Sequence, residues 1–137
     1  MSGILALKPF HRPRLWLGLW LLAVAVVAVL SLVNLSRLPP VPDGGDKVEH
    51  FLAYGLLSAS AMQVFARRRG CLLVAVLLVA LGIGLEFAQG ALTTTRMADP
   101  RDALANTLGV LTGLATLLTP LRGLLLALDA RWRPMRA

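Results

Sequence analysis

Six of the seven carboxylates in this chain, Asp43, Asp46, Glu49, Glu86, Asp99 and Asp102, fall on one side of an alternating series of apolar stretches, and only Asp129 falls on the other. His50, Tyr54, Gln89 and Asn106 stand among them. A histidine beside carboxylates suits general acid and base work, because its unperturbed pKa of about 6.5 lets it exchange protons near neutrality. Lys47, Arg96 and Arg101 add donors for a phosphate or carboxylate. No nucleophile accompanies them: Cys71 lies elsewhere, and Thr93, Thr94 and Thr95 have no evident base. Any reaction is therefore easier to write as attack by water, with or without a metal, than through a covalent intermediate.

The elements that must position these groups are membrane helices. Of 137 residues, 57% are hydrophobic and 15% charged, against about 45–50% and about 25% in soluble domains. That composition excludes a disordered or a disulfide-framed chain, and the length fits one domain over residues 1–137. Four stretches, residues 15–33, 48–66, 71–89 and 103–119, approach the ~20 helical residues that cross a ~30 Å hydrocarbon core. Residues 15–33 carry no charge and exceed the ~7–15 residues of a secretory signal's apolar segment, so they read as an uncleaved helix.

The links between the stretches are short. Leu38-Pro39-Pro40-Val41-Pro42-Asp43-Gly44-Gly45 suits neither helix nor strand, and Arg67-Arg68-Arg69-Gly70 makes a tight basic turn. Lys8, Arg12, Arg14, Arg67, Arg68, Arg69, Arg122, Arg131, Arg133 and Arg136 lie on one side, and only Arg37, Lys47, Arg96 and Arg101 on the other. The positive-inside rule then predicts an all-α, four-transmembrane-helix bundle with both termini cytoplasmic. Pro120 ends the fourth stretch. Beyond it, Leu121, Leu124, Leu125, Leu128 and Trp132 recur at helical spacing, predicting a short interfacial helix. Because the net charge of +7 is divided into small clusters flanking spans, the basic residues do not indicate nucleic-acid binding.

At about 100° per residue, Asp46, His50 and Tyr54 share an arc of about 80°, Glu86 and Gln89 lie about 60° apart, and Asp99, Asp102 and Asn106 fall within about 60°. Three polar stripes are thus expected to converge near the outer surface. Helix starts explain part of this pattern. Asp46-Lys47-Val48-Glu49 has capping-box spacing, and Asp99-Pro100-Arg101-Asp102 reads as N-cap, proline at the first helical position, and an early acid. Glu86 has no such explanation, since it sits near a helix C-terminus where the macrodipole disfavours an anion. Gly109 and Gly113, with Gly82, mark close helix packing. Trp16, Trp20 and Trp132 read as interfacial belt residues, and Cys71 as a small apolar filler.

The run Asp46-Lys47-x-x-His50-Phe51-x-x-Tyr54, then Glu86-x-x-Gln89, then Arg96 and Asp99, then Asp102-x-x-x-Asn106-x-x-Gly109, resembles the VanZ-like family over the motif core 46–113. The resemblance implies a small multi-pass protein of the bacterial plasma membrane and a cell-envelope context; the protein that names the family is linked to resistance to the glycopeptide teicoplanin. No reaction comes with the resemblance. It supports Asp46, Lys47, His50, Tyr54, Glu86, Gln89, Arg96, Asp102 and Asn106 as the family's polar positions and assigns them no roles; from their chemistry, His50, Glu86 and Asp102 are the candidates for acid and base work and Asp46, Lys47, Tyr54, Gln89, Arg96 and Asn106 the candidate ligand-binding positions.

Two functions follow as expectations. In one, the cluster recognises or modifies an envelope-lipid or cell-wall-precursor headgroup. In the other, it is a non-catalytic scaffold or partner-binding surface that only holds the helices together. No cofactor is required by either; a divalent metal on His50, Glu86 and Asp46 is the remaining variant, without HxxxH or CxxC spacing behind it. A proton path is disfavoured, because the cytoplasmic halves hold almost no ionisable groups and Gln63 is the one deep polar side chain there.

Overall fold

The computed structural model describes residues 3–33, 44–92 and 99–132, and these form five α-helices: α1 (Pro13–Leu32), α2 (Gly45–Val64), α3 (Arg68–Leu92), α4 (Pro100–Ala115) and α5 (Leu124–Arg131). Arg96, Arg37, Asp43 and Thr93 to Thr95 lie outside the described residues. Two short 3-10 turns, Thr116–Leu118 and Pro120–Gly123, join α4 to α5 across a bend of 79°. Pro120 supplies the physical cause, since it has no N–H to continue the ladder. Among the described residues there is no strand beyond one isolated bridge, Leu7 with Phe65.

α1 and α3 are each long and apolar enough to cross a membrane, and α4 with α5 would make a third such segment if the bent pair is one span. α1 buries no residue, and Leu19, Leu22, Val26, Val29 and Leu30 all stand exposed. A helix whose one charge, Arg14, lies in its first turn and which has that much bare aliphatic surface is suited to lipid rather than water. α2 fails the same apolar test because Asp46, Lys47, Glu49 and His50 occupy its first turns.

α2 and α4 form the closest pair. At Gly109 an added Cβ would run into the Phe51 carbonyl oxygen, and at Gly113 into Gly55 and Ser58, so the two backbones touch where no larger residue fits. The Ser58 hydroxyl donates to the Val110 carbonyl at 2.8 Å across this crossing. The small-residue spacing therefore closes the bundle, as the sequence indicated.

The arginine-rich end is tied together more thoroughly than the sequence suggested. The Ala6 carbonyl accepts from Ala66 N–H at 2.8 Å, and Lys8 N–H donates to Val64 O at 3.0 Å. The Lys8 ammonium donates to the Met62 and Arg122 carbonyls, satisfying groups that a helix end and a 3-10 turn leave open; partial burial pulls its pKa below the ordinary lysine value. Gln63 has a structural task at the break before α5: its amide donates to Leu121 O at 2.8 Å, and its oxygen accepts from Leu125 N–H at 3.2 Å.

Asp129, read from sequence as one polar position on an interfacial helix, is buried and accepts from the His11 backbone N–H at 2.6 Å and the Trp16 indole at 2.7 Å. The Trp16 bond, reinforced by His11, outweighs burial and holds this carboxyl below the usual aspartate range. Trp20 likewise does more than mark an interface, donating to Leu57 O at 3.0 Å and meeting Phe65 edge-on at 5.5 Å. Cys71 is buried against Phe65, as a small filler should be.

Candidate functional site

The two helix starts differ from one another. Asp99 is the N-cap of α4, accepting from Arg101 N–H at 2.9 Å with Pro100 following, in agreement with the sequence reading. α2, however, is capped by Gly44 with a φ of 83°, a left-handed conformation open to glycine, and no side chain caps it. The capping-box expectation for Asp46 is thereby corrected. Asp46 lies inside the first turn, where its carboxylate accepts from the Lys47 backbone N–H at 2.9 Å and from the Lys47 ammonium at 2.8 Å.

Lys47 binds the two helix starts together. Its ammonium lies 2.8 Å from Asp46, 3.0 Å from Asp99 and 2.9 Å from Asp102. These three carboxylates raise its pKa above the ordinary lysine value, Asp46 contributing most. In return Asp46 is held below its ordinary value chiefly by the Lys47 hydrogen bond, and Asp99 chiefly by Arg101 N–H and then by Lys47.

One turn deeper, the three predicted stripes meet. Nδ1 of His50 on α2 lies 3.0 Å from Asn106 Oδ1 on α4 and 3.9 Å from Glu86 Oε1 on α3, while Nε2 lies 3.7 Å from Asp102 Oδ2. Glu86, Asp102, Asn106, Gln89 and Tyr54 are all buried. Gly82 permits this approach: a side chain there would press on Asn106 and Tyr54.

Other predicted positions are placed differently from one another. Gln89 turns toward α1 and donates to the Ser31 carbonyl at 2.7 Å, one of the acceptors left open at that helix's C-terminal end. Tyr54 is almost fully buried, and its hydroxyl has no hydrogen-bond partner among the described residues. A cleft of about 200 Å³ opens between α1 and α2, lined by Val27, Leu30, Ser31, Glu49, His50, Ala53 and Tyr54. The part played by α1 was missed from sequence, because its contribution is a backbone carbonyl and an apolar wall, neither of which a search for polar side chains detects.

A half-buried histidine between two buried carboxylates, with a lysine in front and a mostly apolar cleft beside it, is the arrangement of a small polar site in a helical membrane-type protein. A family model described as VanZ/LLP1 matches residues 3–125, and the chain belongs to that family. The match extends on both sides of the motif core and takes in α1 and the start of α5. Neither the curated proteins nor the solved structures yielded a match.

Proposed function

We propose that this protein is a four-span plasma-membrane protein that recognises or modifies the headgroup of an envelope lipid or lipid-linked cell-wall precursor, entering sideways from the outer leaflet, with a bearing on glycopeptide tolerance. The observation that carries this reading is the cleft between α1 and α2. Val27, Leu30 and Ala53 supply the apolar part of its lining, and His50, Tyr54, Glu49 and Ser31 the polar part. An amphiphile has that polarity pattern; a free polar solute does not. His50 connects the cleft to Glu86, Asp102 and Asn106, with Lys47 paired to Asp102 beside them.

Packing supports the four-span reading beside charge. α2 has 20 residues, about 30 Å of helix, and its polar side chains are turned into contacts with Asp102 and Asn106 on α4. Its outer end therefore shares a face with the N-terminus of α4, and both termini fall on the opposite, arginine-rich side. Single cysteines placed at exposed Arg101 and Arg69, in a Cys71→Ser background, separate the faces. A membrane-impermeant maleimide applied to intact cells should label Arg101→Cys and leave Arg69→Cys unlabelled; the reverse pattern would invert the topology and close the outer leaflet to the site.

The cleft is tested by filling it. Ala53→Phe puts a ring into the cleft between α1 and α2 and leaves every polar residue of the cluster in the chain. In native mass spectrometry with added polyprenyl phosphate, the wild type should retain one lipid, and Ala53→Phe should lose retention at least tenfold. Equal retention would sink the cleft as the entry route.

The scaffold reading has one observation in its favour. Bonds from His50 to Asn106, Gln89 to Ser31 and Trp20 to Leu57 link all four long helices, as glue would. It gives no reason for an amphiphile-shaped cleft beside the histidine, and the two readings part over whether folded variants lose function.

A further inference from the structure

We propose that His50, Glu86 and Asp102 form a binding site for one divalent transition-metal ion of the zinc class, leaving a coordination position toward the cleft for a phosphate-bearing headgroup. Its role rests on the headgroup reading above; its coordination does not.

The first support is the donor set. One ligand atom from each of the three residues lies within 4.8 Å of the other two. The separation of Nε2 from Asp102 Oδ2, 3.7 Å, stands a few tenths of an ångström outside the ~3.4 Å edge of a tetrahedron built on ~2.1 Å bonds. One imidazole with two carboxylates suits zinc or manganese, and three protein ligands with an open fourth position are the pattern of a reactive rather than a structural site.

The second support is the orientation of the imidazole. Asn106 Oδ1 is a carbonyl oxygen and only accepts, so the 3.0 Å contact requires His50 Nδ1 to carry the proton. In the neutral ring, Nε2 then presents its lone pair to Asp102 Oδ2 at 3.7 Å, beyond hydrogen-bond reach. Two electron-rich atoms facing each other need a cation between them. Asp102 divides its oxygens accordingly, since Oδ1 accepts from Lys47 and Oδ2 faces the histidine. A histidine fixed by a second-shell acceptor and a carboxylate fixed by a second-shell donor are how metal ligands are held.

The third support is Tyr54. Its buried hydroxyl, without a hydrogen-bond partner among the described residues, belongs to a ring that lines the same cleft as His50 and lies within electrostatic reach of Glu86. A water or phosphate oxygen on the metal would give that hydroxyl its partner. The sequence-level metal set of His50, Glu86 and Asp46 is thus revised in one member, because Asp46 is held on Lys47 and Asp102 takes its place.

The test uses the untagged full chain in lipid nanodiscs, stripped with a chelator and titrated with Co²⁺. The expected result is uptake of one Co²⁺ per chain with visible d–d absorption, displaced by Zn²⁺. His50→Gln and Asp102→Asn should each weaken uptake at least tenfold, and Asn106→Leu, which frees the ring, by about 10–100-fold. Folded wild-type protein that takes up no stoichiometric Co²⁺ would overturn the site and favour an imidazolium paired with Asp102, as would uptake unchanged in His50→Gln and Asp102→Asn. The two readings fail separately. Polyprenyl phosphate retained by protein that binds no Co²⁺ removes the metal and keeps the headgroup, whereas stoichiometric Co²⁺ with no lipid retained keeps the metal and removes the headgroup.

Discussion

Replacing Gly109 by alanine should destabilise the protein more than any other one-carbon change among its helical glycines, and Gly109→Ala with Gly113→Ala should prevent stable folding. In an isolated helix glycine to alanine gains about 1 kcal/mol, so the sign depends on what the new methyl meets. At Gly109 it meets the Phe51 carbonyl and the Gly55 nitrogen; at Gly113 it meets Gly55, Ser58 and the Ala59 nitrogen. Most of these are backbone atoms, which cannot swing aside, so α2 and α4 must separate. Overpacking of a fixed interface costs about 1–3 kcal/mol per site, which exceeds the propensity gain. Separation would also stretch the bonds from Ser58 to Val110, His50 to Asn106 and Lys47 to Asp102. Gly84 and Gly18 have open space around them, so Gly84→Ala and Gly18→Ala should be neutral or stabilising. Thermal melts in detergent would check the contrast: equal melting shifts at Gly109 and Gly84 would mean that the helices are not held by backbone contact.

Lys47→Met should be the most damaging single change of charge. It removes the one ammonium shared by Asp46, Asp99 and Asp102 and leaves three carboxylates facing each other at the joint between α2 and α4. The pH dependence gives the prediction its sign. Asp46 and Asp99 are depressed below 3.8 in the folded protein, so their contribution is complete above that value and is lost as pH falls through the folded pKa values. Lys47 is raised above 10.5, so its contribution is complete below 10.5 and lost only in more alkaline solution. Wild-type stability should therefore be flat from about pH 5 to 9 and fall on the acid side below about pH 4. In Lys47→Met the mid-range value should drop and the acid fall should shrink or reverse, as protonation relieves repulsion. A variant with the wild-type profile would show the triple contact to be solvent-screened and idle.

The polar face was legible in the sequence because it follows rules that need no tertiary structure. Helical spacing places His50, Glu86 and Asp102 on stripes near one end of their helices. Asp99-Pro100 at the start of α4 and the glycines facing α2 were equally local signals. What stayed hidden depends on partners distant in the chain. The capping aspartate of α2 was misread because Gly44 can adopt a left-handed turn, and Asp46 finds a stronger partner in its own neighbour's ammonium. Asp129 gave no sign that it is buried, since its donors come from His11 and Trp16 at the other end of the sequence. Gln89 was foreseen on the polar face, yet its partner is a main-chain carbonyl of α1 that carries no residue-type signal.

The central claim, that the cluster handles a ligand, is tested most directly by Glu86→Gln with His50→Gln. Both changes keep side-chain size and hydrogen-bonding capacity while removing acid and base function. Glue alone is a weak constraint: interhelical polar contacts average about 0.6 kcal/mol, and neutralising a buried carboxylate relieves desolvation. The double variant should therefore insert and melt like the wild type. The decisive measurement is growth of a sensitised bacterial host across a teicoplanin series, with wild type and double variant at matched membrane abundance. Tolerance gained with the wild type and lost completely with the folded double variant is the predicted result; tolerance gained equally with both would contradict a ligand-handling site and leave a scaffold.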